Sequence, residues 1–424
     1  MARPVETPPI HAIKELALPV YETRVLPNGM PLFLLQGGSE PVMRMEIVFR
    51  AGASYEHKSG VAEVMAGLLS EGTQHMTSAA LAEKIESLGA TMFTRGGVDT
   101  VRIRLLTLTR YFPDLIGVVH EVIREPAFDP SELKVFAENK VERLRIDLKK
   151  NEVLAYRHLT EAIFGPQHPY GKNTHPEDYL AITEEDLKIH HREHIVPQKG
   201  MVFVSGSFGE KEIGLLAETI GSWRKDDADG QGVLNGFPEE IRTGYLKYEG
   251  PQRHQAAIRI GRKLFPQSHP DFNGLFVLNT ILGGYFGSRL MTEIRENQGL
   301  TYGIYSGVDS FAADGCFYVS TETATDNTAH VIAAIGLEMN KLREELIPED
   351  ELQMARNYLM GHLMTQIDGP FSTLDFIKSM KIENLGDEVF AAMVDTIQEI
   401  SPHQLRELAL KYLDPAEWVT IVVK

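Results

Sequence analysis

The sequence predicts an α+β protein made of two homologous halves, and three observations carry that expectation. Short motifs recur in order along the chain. Gly97-Val98-Asp99 returns as Gly307-Val308-Asp309, 210 residues on. Pro130, Ala137 and Asn139 return as Pro348, Ala355 and Asn357, 218 residues on, so the offset is nearly constant and points to duplication. Each half also runs from a helix into an apolar strand near its end, 184–195 into 199–208 and 401–413 into 417–424. Between them, KDDADGQGVLNGFPEE (225–240) is polar, rich in Gly and Asp, and without periodicity. It reads as a linker, dividing the chain into residues 1–224 and 241–424.

Residues 1–20 are rich in proline and predict an extended arm. ETRVLPNGMPLFLLQ (22–36) has a Pro-Asn-Gly turn at 27–29 between apolar runs, a hairpin signal. A strand follows at 43–52, a buried helix at 59–73, and a second helix at 77–90 with Thr77 as its N-cap. TVRIRLLTLT (100–109) alternates as a strand with Arg102 and Arg104 facing solvent. Helices are expected at 111–124 and 130–148, a short helix and loop within 158–171, and helices at 184–195 and 210–223 around a strand at 199–208. The second half begins with a strand at 256–265 and a buried helix at 271–284. A strand at 316–324, helices at 326–346, 348–366, 379–400 and 401–413, and a last strand at 417–424 complete the chain.

The 424 residues suffice for two or three domains with sizeable cores. A hydrophobic content of 43% beside 24% charged residues places the chain among soluble globular proteins. The formal net charge of −17 argues against a general nucleic-acid or anionic-membrane binder. A lone cysteine, Cys316, excludes an internal disulfide and a thiolate zinc cluster. The opening twenty residues have no long apolar core, so neither a signal peptide nor a membrane anchor is read there. The expected location is cytoplasmic, or periplasmic if a leader has been trimmed.

The most informative stretch is Gly283–Tyr302, GGYFGSRLMTEIRENQGLTY. A glycine pair interrupts an apolar helix, a second helix follows, and Gly299 ends it before a strand near Tyr302. Helix punctuation accounts for Gly299. It does not account for a guanidinium and a phenol seven residues apart across the break, which can converge on the mouth of a cleft. Arg295 and Tyr302 could there hold a peptide carbonyl and stabilise an oxyanion. The stretch resembles the C-terminal half of the pitrilysin-type (M16) zinc peptidases and their processing-peptidase relatives, through Arg295, Gly299, Leu300 and Tyr302. The resemblance implies that each half is an antiparallel sheet covered by helices, that the halves enclose a clamshell cleft, and that Arg295 and Tyr302 reach substrate.

The first half matches the family's catalytic half from about Tyr21 to Phe208. Active members carry Gly-x-Ala-His-x-x-Glu-His on a helix, two histidines on one face sharing a zinc and a glutamate activating its water. Gly60, Ala62, Gly72 and Thr73 fit that frame, but Glu63, Ala66 and Gly67 stand at the histidine, glutamate and histidine positions. Arg143, 76 residues past Gly67, stands at the third ligand, with Glu142 adjacent. No catalytic metal is expected in this half, and an ion pair between Glu63 and Arg143 is expected to fill the vacated site. His190-His191-Arg192-Glu193-His194 satisfies His-x-x-Glu-His literally. It falls where the family has an ordinary helix, no glutamate lies between Glu249 and Glu293 to complete a site, and a surface helix is the simpler reading. The remaining histidines show no ligand spacing, and no phosphate-binding glycine loop is present.

The resemblance therefore implies a non-catalytic subunit of a heterodimeric zinc metallopeptidase, inactive alone. It would contribute Arg295 and Tyr302 to a homologous zinc-motif chain, bind a peptide or protein substrate, and carry no cofactor itself while the partner holds zinc. The alternatives are a structural subunit with an inert cleft, a peptide-binding homodimer, or an autonomous peptidase using His190 and His194.

Overall fold

A computed structural model describes residue 13, residues 15–223 and residues 241–424. The expected linker at 225–240 and most of the proline-rich arm lie outside these described residues. In the first half the order is β1 (Glu22–Val25), β2 (Pro31–Gln36), β3 (Val42–Phe49), α1 (Val61–Leu68), α2 (Ser78–Glu86), β4 (Thr91–Gly96) and β5 (Val101–Leu108). Then come α3 (Phe112–Arg124), α4 (Pro130–Asp147), α5 (Asn151–Phe164), α6 (Pro176–Leu180), α7 (Glu184–His194), β6 (Gly200–Gly206) and α8 (Glu210–Thr219). The second half runs β7 (Gly244–Tyr248), β8 (Gln255–Leu264), α9 (Phe272–Asn279), β9 (Thr301–Ser310) and β10 (Gly315–Ala324). It finishes with α10 (Thr328–Glu344), α11 (Glu349–Gln366), α12 (Gly369–Ile382), α13 (Glu388–Glu399), α14 (Pro402–Tyr412) and β11 (Val419–Val423).

Local chemistry sets several of these boundaries. The Asn28-Gly29 turn, with Gly29 at φ +87°, sends β1 back onto β2. Pro130 opens α4 behind the Asp129 cap, whose carboxylate accepts from Ser131 N at 2.7 Å. Thr183 and Asp186 cap α7 reciprocally, as Ser401 and Gln404 cap α14.

The two sheets share one strand order. The first is β1-β2-β6-β3-β5-β4 and the second β7-β11-β8-β10-β9. Setting β1 aside, each strand of one sheet has its counterpart at the same place in the other, so the duplication read from the motifs holds for the topology. The sheets are mixed rather than wholly antiparallel, because β2 with β6 and β7 with β11 run parallel. A hairpin forces antiparallel neighbours, whereas β6 and β11 return only after several helices and can insert beside the first strand in the same direction. Strands β3 and β8, inside their sheets, are the long apolar runs, buried along most of their length.

The halves exchange a helix. Helix α5 of the first half packs on β8 and β11 of the second, through Ala155, Leu159 and Ile163 against Ala257, Ile421 and Val423. Helix α12 of the second half, the counterpart of α5, packs on β6 and β2 of the first. Its Leu374, Ile377 and Met380 share a core with Phe33, Leu35, Val48 and Phe203. Polar contacts fix both exchanges. The Asn151 amide donates to Gln252 O at 2.8 Å and Gln255 O at 2.7 Å. Arg44 donates to Asp375 at 2.8 Å and to Phe371 O at 2.7 Å. Lys378, 4% exposed, meets Glu46, 2% exposed, at 2.9 Å. Arg104, expected at the solvent face, is drawn to the other oxygen of Glu46 at 2.8 Å.

The recurring aspartates sit at the same seam. Asp99 accepts from Tyr170 Oη at 3.0 Å and from Ala312 N at 3.0 Å, and Asp309 accepts from Tyr156 Oη at 2.7 Å. Among the described residues no helix is long and apolar enough to cross a membrane.

Lys378 bridges Glu46 and Asp375, and Arg104 still holds Glu46 when it is gone, so its loss should cost about 1.5–3 kcal/mol, the scale of hydrogen bonds to charged groups. Lys378→Met should lower the denaturation midpoint accordingly. Lys188→Met, in the exposed pair with Glu184 on α7, should leave it unchanged. Equal effects in a urea titration would mean that α12 is not held by its charge.

Candidate functional site

Helix α9 does not stop at Asn279 but widens into a π-helical turn, Thr280–Gly284, and a second π-helical segment follows at Met291–Asn297. Single π turns are uncommon and gather at functional sites. Gly283 allows the first turn to lie against β9, since a Cβ there would stand 2.5 Å from Ser306 N. Gly299, at φ +63°, ends the second segment, and Leu300 N closes back on Ile294 O at 3.0 Å.

The chain thereby enters β9 beside the helix it has just left, and this brings Arg295 and Tyr302 together. Arg295 Nε donates to the Tyr302 carbonyl at 2.9 Å. Its guanidinium carbon stands 4.9 Å from the Phe286 ring centre and 5.9 Å from that of Tyr302. Tyr302 itself is 94% exposed. It borders a groove of about 1200 Å³ along β9, the edge strand of the second sheet. The glycine turn with Tyr285 and Phe286 forms one wall, and Tyr305, Ser320, Glu322 and Arg259 lie along the sheet.

The corresponding edge of the first sheet carries the vacated metal position. Glu63, on α1, accepts from Lys140 Nζ at 2.6 Å through one oxygen and from Tyr179 Oη at 2.5 Å through the other. The expected partner Arg143 is therefore replaced by Lys140, one turn earlier on the same face of α4. Arg143 lines the same pocket without pairing to Glu63. Burial, with the Glu63 carboxylate beside it, holds the Tyr179 phenol above its ordinary range. The Phe136 ring covers Gly67, and a Cβ on Gly67 would lie 2.1 Å from Phe136 Cζ.

These residues do not fit the zinc that the sequence frame implies. The one carboxylate is engaged by an ammonium and a phenol, an aromatic ring fills the space of a second ligand, and cations stand where a third would come. Among the described residues no three His, Cys, Asp or Glu side chains are gathered so as to hold an ion.

Helix α7 departs from the surface-helix expectation. His190 is fully buried, with Nε2 2.8 Å from Ala51 O. Burial pushes its pKa from 6.5 down to about 4, so the ring is neutral and Nε2 donates to the carbonyl. His191 Nε2 lies 2.7 Å from Ile123 O, and His194 Nδ1 lies 3.0 Å from Lys199 Nζ. The Glu193 side chain is about half exposed. The histidine pattern is absorbed by packing.

Sequence reasoning missed Lys140, Phe136 and Tyr179 at the closed site and Arg259 in the groove. Only Arg259 had a signal, a charge inside the apolar strand AAIRIGRKLF.

Comparison with known proteins follows this geometry. Residues 34–171 match the model for insulinase (peptidase family M16), and residues 181–359 match the model for the peptidase M16 inactive domain. The chain belongs to peptidase family M16. A Bacillus subtilis (strain 168) protein named as the uncharacterized zinc protease YmxG is 21% identical over 82% of this chain and 84% of its own length. A Helicobacter pylori (strain 26695) protein called a non-peptidase homolog is 24% identical over 76% of this chain and 74% of its own. The fold matches an M16 inactive domain from Pseudomonas fluorescens with a TM-score of 0.85 at 21% identity, covering 95% of this chain and 98% of that one. Within the M16 family this chain is of the inactive-domain type, without the zinc motif at positions 63, 66 and 67.

Two outcomes follow from the closed site and from α7. Gly67→Ala should cost about 1–3 kcal/mol by overpacking against Phe136, and the same change in a Phe136→Ala background should cost much less. Additive effects in a double-mutant cycle would mean that the ring does not hold that space. For His190 the unfolded chain takes up a proton near pH 6.5 while the folded chain resists until about pH 4. Stability should therefore fall as pH drops through that window, and His190→Gln should flatten the fall in pH-dependent melting curves.

Proposed function

We propose that this chain is the non-catalytic, cytoplasmic subunit of a two-chain M16 zinc peptidase, inactive alone, whose groove binds peptide. In this reading Arg295 and Tyr302 complete the active site of a homologous chain that carries the zinc motif. The observation that carries the proposal is an asymmetry between equivalent sheet edges. The edge with the metal frame is closed by Lys140, Tyr179 and Phe136, while the other holds an open groove with an almost fully exposed phenol at its rim.

The division of labour is chemically sound. Cleaving a peptide builds negative charge on the carbonyl oxygen, and donors opposite a metal stabilise that charge wherever their chain originates. Arg295 spends its Nε on the Tyr302 carbonyl, which orients the fork and leaves its terminal nitrogens directed away from that bond. Tyr302, exposed on an edge strand, is open to contact from a facing chain.

The test mixes this chain with a zinc-motif M16 chain from the same cell. Neither zinc nor peptidase activity should accompany this chain alone, and mixing should give turnover. Tyr302→Phe should lower that turnover ten- to a thousand-fold, about the scale of one oxyanion donor. Unchanged turnover would remove Tyr302 from the mechanism.

A further inference from the structure

The groove beside Tyr302 contains a cation that the Arg295–Tyr302 pair does not explain. Arg259 lies in the central strand β8 between Ile258 and Ile260, and is 6% exposed. Its Nη1 donates to Ile258 O at 3.2 Å, and Nη2 reaches Glu152 O only at 3.4 Å. Its Nε has no acceptor, and among the described residues no carboxylate pairs with it. A buried guanidinium held by two carbonyls, with its Nε unmet, lacks the anion that such a charge ordinarily requires. The Nε–Nη2 edge is the less satisfied side of the fork, and it has the spacing of a carboxylate.

The surroundings narrow the ligand further. Ser320 stands opposite Arg259 on β10, and Tyr305 opposite Ser320 on β9, so a polar row crosses three strands from the buried arginine to the exposed sheet edge. Glu152 and Glu322 also line the groove. Burial raises the Glu322 carboxyl above its ordinary range, Glu152 adds to the rise, and Arg259 opposes it. Tyr305 and Tyr318 are the remaining titratable groups facing Arg259. A bare anion would therefore meet two carboxylates near the one arginine, whereas a ligand carrying both charges would satisfy all three.

We infer that the groove binds peptides bearing a carboxylate next to a basic side chain, the carboxylate on the Nε–Nη2 edge of Arg259 and the basic group between Glu152 and Glu322. The inference rests on reading the groove as a peptide site, and it does not require a partner chain. The carboxylate is supplied by an acidic side chain or by a peptide C-terminus.

The experiment is calorimetric titration of this chain with three N-acetylated octapeptides. One contains Lys-Asp and ends in an amide, one replaces Asp by Asn and ends in an amide, and one keeps Asn but ends in lysine with a free carboxylate. At least one carboxylate peptide should bind about ten-fold or more tightly than the peptide lacking one, and which of the two binds names the source. Arg259→Met should abolish the preference, and Arg259→Lys, which keeps charge without the fork, should retain part of it. Should Arg259→Met fail to fold, the comparison on the unaltered chain decides alone. Equal affinity for all three peptides overturns the role of Arg259 and leaves the groove a peptide site. Binding by none overturns both, whatever Tyr302→Phe does to the turnover of a mixed pair.

Discussion

Each sheet has one face covered by a helix of the other half. The first half sends α5 across to the second sheet, and the second half sends α12 back to the first. The buried Lys378–Glu46 pair sits at the centre of the return path. A buried charge pair gives little net stability over apolar packing, but it tolerates few alternative registers, so it selects one seating of α12. The exchange also shapes the groove. Glu152 is on α5, a helix of the first half, yet it lines a cavity otherwise built from the second. The groove is a product of the whole chain, although its strands and glycine turn lie within about seventy residues of sequence.

Duplication followed by divergence accounts for the contrast between the sheet edges. Strands β4 and β9 hold equivalent positions, each bordered by a pocket. At β4 an ammonium, a phenol and a phenyl ring have settled around one carboxylate and one glycine. Both oxygens of the Glu63 carboxylate are taken by its own chain, which leaves no free acceptor there for a metal. At β9 the reverse holds, with an exposed phenol, a buried arginine lacking an anion, and two carboxylates apart from it. Unmet polar groups in a concave site are the physical mark of something still to be bound.

Much of this fold could be read before the structure, and the parts that could not share a cause. Strands β3, β5, β6, β8, β10 and β11 are apolar or alternating, α3 has a clear apolar stripe, and α4 has a clear cap. Their packing partners are mostly within their own half. The start of α5 and most of α12 were missed because those helices bury more than one face between the halves, which erases a single apolar stripe. Strand β4, TMFTRG, and strand β7, GYLKY, are edge strands with only one neighbour, and so have weak patterns. At the site, Arg295 and Tyr302 were visible as a motif, since the turn that joins them is local. Lys140 was displaced to Arg143 because a linear offset cannot tell which turn of α4 faces α1. His190 misled for a related reason: a histidine in a polar helix looks solvated, and only the fold reveals the Ala51 carbonyl it meets.

The Phe136 ring over Gly67 has a consequence for how this lineage can change. A return to metal binding needs a histidine at 67, but that side chain finds its volume taken. Removing the ring first opens a void beside α1 with no ligand yet present to use it. Replacing Glu63 first leaves Lys140 and Tyr179 without their shared acceptor. Each step backward loses packing or pairing before any affinity for metal is gained, so the path is uphill from every direction. The absence of the three ligands is thus held in place by packing and pairing, and selection on such a chain can act only on what its other edge does.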